Sequence, residues 1–130
     1  MKTWLSAVHA ALREVGGSVV SAPEAPTAGR NYARVSVRLP HDVSGWLLLN
    51  REVNMVAAAE NPGAHQIFLS FVDVPAPDVF ACRGYVVATP GDLDRPLSDD
   101  DVRALSPAEK RDVEYHKPER RGDLLFNWFD

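Results

Sequence analysis

From Ala33 to Leu39 the side chains alternate strictly. Ala33, Val35, Val37 and Leu39 are interleaved with Arg34, Ser36 and Arg38. A period of two is the period of extended backbone, whose successive side chains point to opposite faces. The segment therefore reads as a half-buried strand, apolar toward a core and cationic toward water. Pro40 to Gly45 turns the chain. Trp46 to Asn50 follows, apolar on both faces, which is the mark of a central strand. A chain with this centre has to fold around a sheet.

The flanking segments supply the other layer. Trp4, Leu5, Val8, Leu12 and Val15 share one helical face, with Ala10 and Ala11 between them and Thr3 placed to cap the start. Gly16-Gly17 ends that helix. Residues 22–30, within "SAPEAPTAGR", read as a flexible loop because of their prolines, glycine and small side chains. Residues 51–59 mix helix-favouring Ala, Met and Glu with Val53 and Val56; short loops on both sides favour a strand. Asn61-Pro62-Gly63 is a turn. "HQIFLSFVDV" and "VFACRGYVVAT" read as two further strands, broken by "PAP", the second bulged at Gly84.

The last third reads as helical. Ser98 with Asp101 makes a capping box. Ser106-Pro107 with Glu109 makes a second helix start, and Pro118 closes that helix by Tyr115 or His116. Gly122 punctuates before an aromatic tail of Leu124, Leu125, Phe126, Trp128 and Phe129. The expected fold is α+β: an N-terminal helix, a four- to five-stranded mainly antiparallel sheet, short C-terminal helices and the tail, packed in two layers. Residues 1–130 are expected to form a single domain, since 130 residues is an ordinary domain size.

Charge and cysteine content narrow the function. The net charge is −4, so nucleic acid is an unlikely main partner. The charge is also uneven: residues 1–59 carry six Lys/Arg against four Asp/Glu, and residues 60–130 carry eight against fourteen. Cys82 is the one cysteine, which precludes an internal disulfide or a thiolate zinc site and suits a reducing compartment. Its place in an apolar run reads as a buried structural thiol. Arg13 and Glu14 interrupt the first apolar stretch before it resembles a signal peptide, and no run is long enough to span a membrane. A cytoplasmic protein is expected.

The chemistry-bearing motifs are few. His9, His41, His65 and His116 have no metal-ligand spacing, "DLDRPLSDDD" lacks the glycine and Glu of a calcium loop, and no Gly-x-Ser-x-Gly or dinucleotide fingerprint occurs. No metal and no cofactor are expected, and the balance leans away from an enzyme. The leading expectation is a small non-catalytic protein-interaction module, immunity-like (toxin-neutralising) or an accessory subunit, that binds another protein or forms a homodimer. Phe126, Trp128 and Phe129 would anchor the contact, with Asp99, Asp100 and Asp101 facing a basic partner. The alternative is a small enzyme or anion-binding protein whose site gathers Arg34, Arg38, His41, His116, Arg120 and Arg121. RNA or nucleotide binding through Arg30, Arg34 and Arg38 is a third reading. The large apolar side chains after Gly122 need burial, either on this chain's own sheet or on another surface.

Overall fold

The structure is a computed structural model that describes residues 2–27, 30–60, 69–103, 105–108, 110–111 and 119–126. The turn at Asn61-Pro62-Gly63, the start of the 65–74 segment, the helix end near Tyr115 and His116, and Trp128 and Phe129 lie outside the described residues.

Helix α1 (Lys2–Val15) buries Trp4, Ala7, Val8, Ala11 and Leu12. Thr3 lies inside this helix, not ahead of it. Its end follows the sequence: Gly16 adopts φ 75°, and the Gly17 N–H donates back to the Leu12 carbonyl at 2.8 Å. That six-to-one bond is the Schellman stop, which a residue with a Cβ takes up at a cost.

Strands β1 (Ser18–Val19), β2 (Ala33–Leu39), β3 (Val43–Asn50), β4 (Met55–Glu60) and β5 (Phe71–Val72) form an antiparallel sheet in chain order. Strand β6 (Val86–Val87) joins β4 in parallel, beyond β5 along the same edge. The β2–β3 hairpin folds over a single 3-10 turn, Pro40–Asp42, with Leu39 opposite Val43. His41 sits in the left-handed region there (φ 65°, ψ 30°). Residues 51–59 resolve into a turn and then β4, so the strand reading holds from Met55 onward.

Two expected strands come out differently. The described part of the first contains only β5. Within the second, Pro77–Ala81 is helix α2, residues 82–84 are a turn with Gly84 at φ 88°, and only β6 is extended. The reason is local. Pro77 occupies the first turn of a helix, where its missing N–H costs nothing, so "PAP" starts a helix as well as ending a strand. Cys82, expected in a buried strand, is consequently exposed at the end of α2.

The short C-terminal helices are α3 (Pro90–Asp94), α4 (Asp99–Arg103) and α5 (Arg121–Leu125), with helical backbone also at 107–108 and 110–111. The Ser98–Asp101 capping box forms as the sequence indicates: the Ser98 N–H donates to Asp101 at 2.9 Å and the Asp101 N–H to Ser98 Oγ at 3.3 Å. Gly122 does not punctuate. It is the second residue of α5.

The fold is α+β, with helices on both sheet faces. On one face α1 and Phe80 of α2 pack on Ala33, Val35, Val37, Leu47, Leu49, Val56 and Ala58. On the other, Leu93 of α3 and Phe126 just after α5 pack on Tyr32, Leu48, Met55, Ala57, Ala59 and Phe71. The alternation of β2 assigns its odd residues to the first face. β3 and β4 are apolar on both faces because both faces are covered there. Of the aromatic tail, Leu125 and Phe126 pack on this second face. Phe126 is 3% exposed, edge-on to Tyr32 at 5.9 Å and tilted against Phe71 at 6.1 Å. Burial of such a ring stabilises by about 1.5–3 kcal/mol.

Polar side chains fix that layer in place. Asn50, 4% exposed, donates to the Leu125 carbonyl at 2.7 Å and accepts from the Glu52 N–H at 3.0 Å. Arg120 lies over the Phe71 ring at 5.2 Å and donates to the Leu69 carbonyl, Asp94 and Asp123. Among the described residues no helix is long and apolar enough to cross a membrane.

Candidate functional site

The second sheet face is not covered evenly. Among the described residues its helices lie over β3, β4 and β5, while toward β1 the same face carries residues that remain half-buried or exposed. The cross-strand register orders them into two rows. Arg38 stands opposite Ser18 on β1 and Ser44 on β3, and all three are exposed. One step along the face, Ser36 stands opposite Trp46, and the Val20 N–H donates to the Ser36 carbonyl at 2.9 Å. Val20 is 58% exposed, and Ser36 and Trp46 are half-buried.

The result is a hydroxyl–guanidinium–hydroxyl row beside a Val–Ser–Trp row. By side-chain size Ser36 is the low point of its row, a notch between Val20 and Trp46, whose strands are two spacings, about 10 Å, apart. Arg34 closes the inner end. Its guanidinium lies 4.5 Å from the Trp46 ring centre and pairs with both carboxylate oxygens of Glu24, at 3.1 and 3.3 Å. Backbone bonds between Glu24 and Arg34, at 2.7 and 3.0 Å, tie the start of the 22–30 loop to β2. Among the described residues, the Arg38 guanidinium has no partner.

The residues singled out from the sequence fall into separate places. Arg34 and Arg38 share the open face, and His41 is exposed at the adjoining hairpin tip. Arg30 does not extend their row. It is 4% exposed, donating to the Tyr32 and Ala25 carbonyls at 3.0 and 2.6 Å. Burial is the main cause that lowers its pKa, and burial likewise raises that of Tyr32.

Arg120 stands over Phe71 on β5, two strand spacings from Trp46. Arg121 pairs with Asp92 and, at 3.9 Å, with Asp101. His116, Trp128 and Phe129 lie outside the described residues. Phe126 is core.

The acidic segment is largely self-paired. Asp101 accepts both Arg95 terminal nitrogens at 3.1 Å, Asp92 holds Arg95 and Arg121, Asp94 holds Arg120, and Asp100 holds Arg103. Asp99 is exposed, with no ion pair among the described residues. The Ser98 N–H, first, and the Arg95 guanidinium hold the Asp101 carboxyl down to about 2. Bidentate charge-assisted bonds such as Arg95–Asp101 add geometric specificity as well as energy.

Sequence reasoning missed Trp46, Val20, Ser18 and Ser44 as surface residues. Trp46 opens the run Trp46 to Leu49, four apolar residues that read as wholly buried. Its membership of the Arg34–Arg38 face depends on pairing across the hairpin. The signal was present in the turn: a hairpin closing at His41 places Ser36 opposite Trp46.

Among the described residues no three His, Cys, Asp or Glu side chains gather as a metal site would require. The architecture defines an α+β domain in which, among the described residues, no helix covers the sheet corner at Ser18, Val20 and Arg38. No protein family matches the chain, and no match is found among curated proteins or solved structures.

Proposed function

We propose that this chain is a small non-catalytic protein-interaction module, of the toxin-neutralising or accessory-subunit kind, acting in the cytoplasm on another protein. Its contact surface is the open corner formed by Ser18, Val20, Ser36, Arg38, Ser44 and Trp46. The observation that supports this reading is the uneven cover of a single sheet face. Where helices lie on it the residues are apolar and sealed; toward β1 a half-buried indole, an exposed valine and a guanidinium with no partner among the described residues stand together. Trp and Arg are the side chains that dominate protein contacts, because they combine large contact area with directional bonding. The free thiol of Cys82 suits a reducing compartment.

The ligand-site reading has less support. Arg34, Arg120 and Arg121 are each held by carboxylates of this chain, at points spread over the sheet and its helices. Radical footprinting in extract from the cells that express the protein tests the proposal. Trp46 and Val20 should lose reactivity relative to the purified chain. Val53 and Val86, exposed elsewhere at 46% and 51%, should keep theirs. Unchanged Trp46 reactivity, or protection at Val53 and Val86 instead, overturns it.

A further inference from the structure

The two rows of the open corner differ in chemistry, and their spacing is fixed by the sheet. Arg38 lies two residues along β2 from Ser36, so the cationic row is about 7 Å from the notch. An extended segment laid along β2 presents every second side chain downward with the same step. An apolar side chain seated over Ser36, between Val20 and Trp46, would therefore place the residue two further on above Arg38.

That position favours a carboxylate. The guanidinium offers paired N–H donors without an intramolecular acceptor among the described residues, and the exposed hydroxyls of Ser18 and Ser44 flank it. At the other end Arg34 is already neutralised by Glu24. Its place against the indole holds Trp46 as a wall. The corner is thus asymmetric, apolar in the middle and cationic at the Arg38 end.

We infer that the open corner recognises an extended segment of an acidic protein partner, with an apolar side chain in the Val20–Ser36–Trp46 notch and an Asp or Glu two residues away on Arg38. This rests on the interaction reading and adds the partner's chemistry to it. Charge complementarity selects the occupant, since a basic or neutral segment leaves the Arg38 row unanswered.

The test is an NMR titration with a short capped peptide of Leu, Ser and Glu that repeats Leu and Glu two residues apart, against the same peptide with Lys for Glu. The Glu peptide should produce saturable shifts at the Ser18, Val20, Ser36 and Ser44 amides and the Trp46 indole. Arg38→Glu should weaken binding by about tenfold or more, as loss and reversal of a charge pair does. Val20→Asp, at an exposed position, should weaken it independently. High salt should weaken it as well.

No saturable shift, equal response to the Lys peptide, or shifts confined to other surfaces overturns the inference. So does movement of the same signals with protein concentration alone, which makes a second copy the occupant. So does their movement in Trp128→Ala with Phe129→Ala before peptide is added, which makes this chain's own tail the occupant. Protection of Trp46 in extract together with peptide failure would leave the interaction reading standing and remove only the acidic segment.

Discussion

Replacing Gly122 with Ala sets two physical effects against each other, and the structure decides the sign. Inside a helix, Ala is preferred to Gly by about 0.5–1 kcal/mol, because Gly loses more backbone entropy on folding. On that ground alone Gly122→Ala would stabilise α5. A Cβ at residue 122, however, would sit 2.3 Å from Phe71 Cε2, 2.8 Å from Cζ and 3.0 Å from the Leu93 carbonyl oxygen. The ring cannot swing away freely, since Phe126 and the Arg120 guanidinium pack on it, and the carbonyl belongs to α3 backbone. Overpacking of a closed site costs about 1–3 kcal/mol, and a contact this short belongs in the upper half of that range. The net expectation is a loss of about 1–2 kcal/mol. With a urea dependence of about 1.5 kcal/mol per molar, the unfolding midpoint falls by about 1 M. Equilibrium urea unfolding followed by Trp fluorescence measures this directly. A midpoint equal to or above that of the unmodified chain would refute the packing of α5 onto Phe71 and Leu93.

Two further perturbations probe the same layer. Phe126→Ala should cost about 3–5 kcal/mol, the usual loss for a buried aromatic ring, read as a lower urea or thermal midpoint; a change under 1 kcal/mol would mean that the ring is not core. Asp101 has a folded-state pKa near 2, below its ordinary 3.8, so its contribution is present above about pH 4 and is lost as pH falls toward 2. The side chain is 15% exposed and its partner Arg95 41%, so solvent screening reduces the effect to about 1 kcal/mol. Unfolding midpoints of Asp101→Asn and the unmodified chain should therefore differ at pH 6 and converge near pH 2.

The parts of the fold that were legible are those with long periodic signals. α1 shows five apolar residues on one helical face and a Gly-Gly stop, and β2 shows seven residues of strict alternation. The capping box at Ser98 is a local pattern, and it formed as read. Short elements carry no such redundancy. "DVFA" within α2 is as compatible with a strand as with a helix, and only Pro77 at the first helical position distinguishes them. The site was half legible for a different reason. Arg34 and Arg38 are visible as outward residues of one strand, but their neighbours Val20 and Trp46 come from other strands and are brought in by register. From the sequence, Arg120 and Arg121 are candidates for an anion site. Asp123, a partner of Arg120, is three residues on, but Asp92 and Asp94 lie more than twenty residues earlier, and only the packing of α3 against α5 brings them in.

The central claim is that the Val20–Ser36–Trp46 and Ser18–Arg38–Ser44 rows form a contact surface at the edge of the Phe126 core, against which Trp46 packs. It is tested most directly by measuring partner affinity and unfolding midpoint together in the double variant Val20→Asp with Arg38→Glu. The account predicts that affinity is lost while the urea midpoint stays within about 0.3 M of the unmodified chain, since surface substitutions of exposed residues change stability little. Retained affinity with an unchanged midpoint would contradict it.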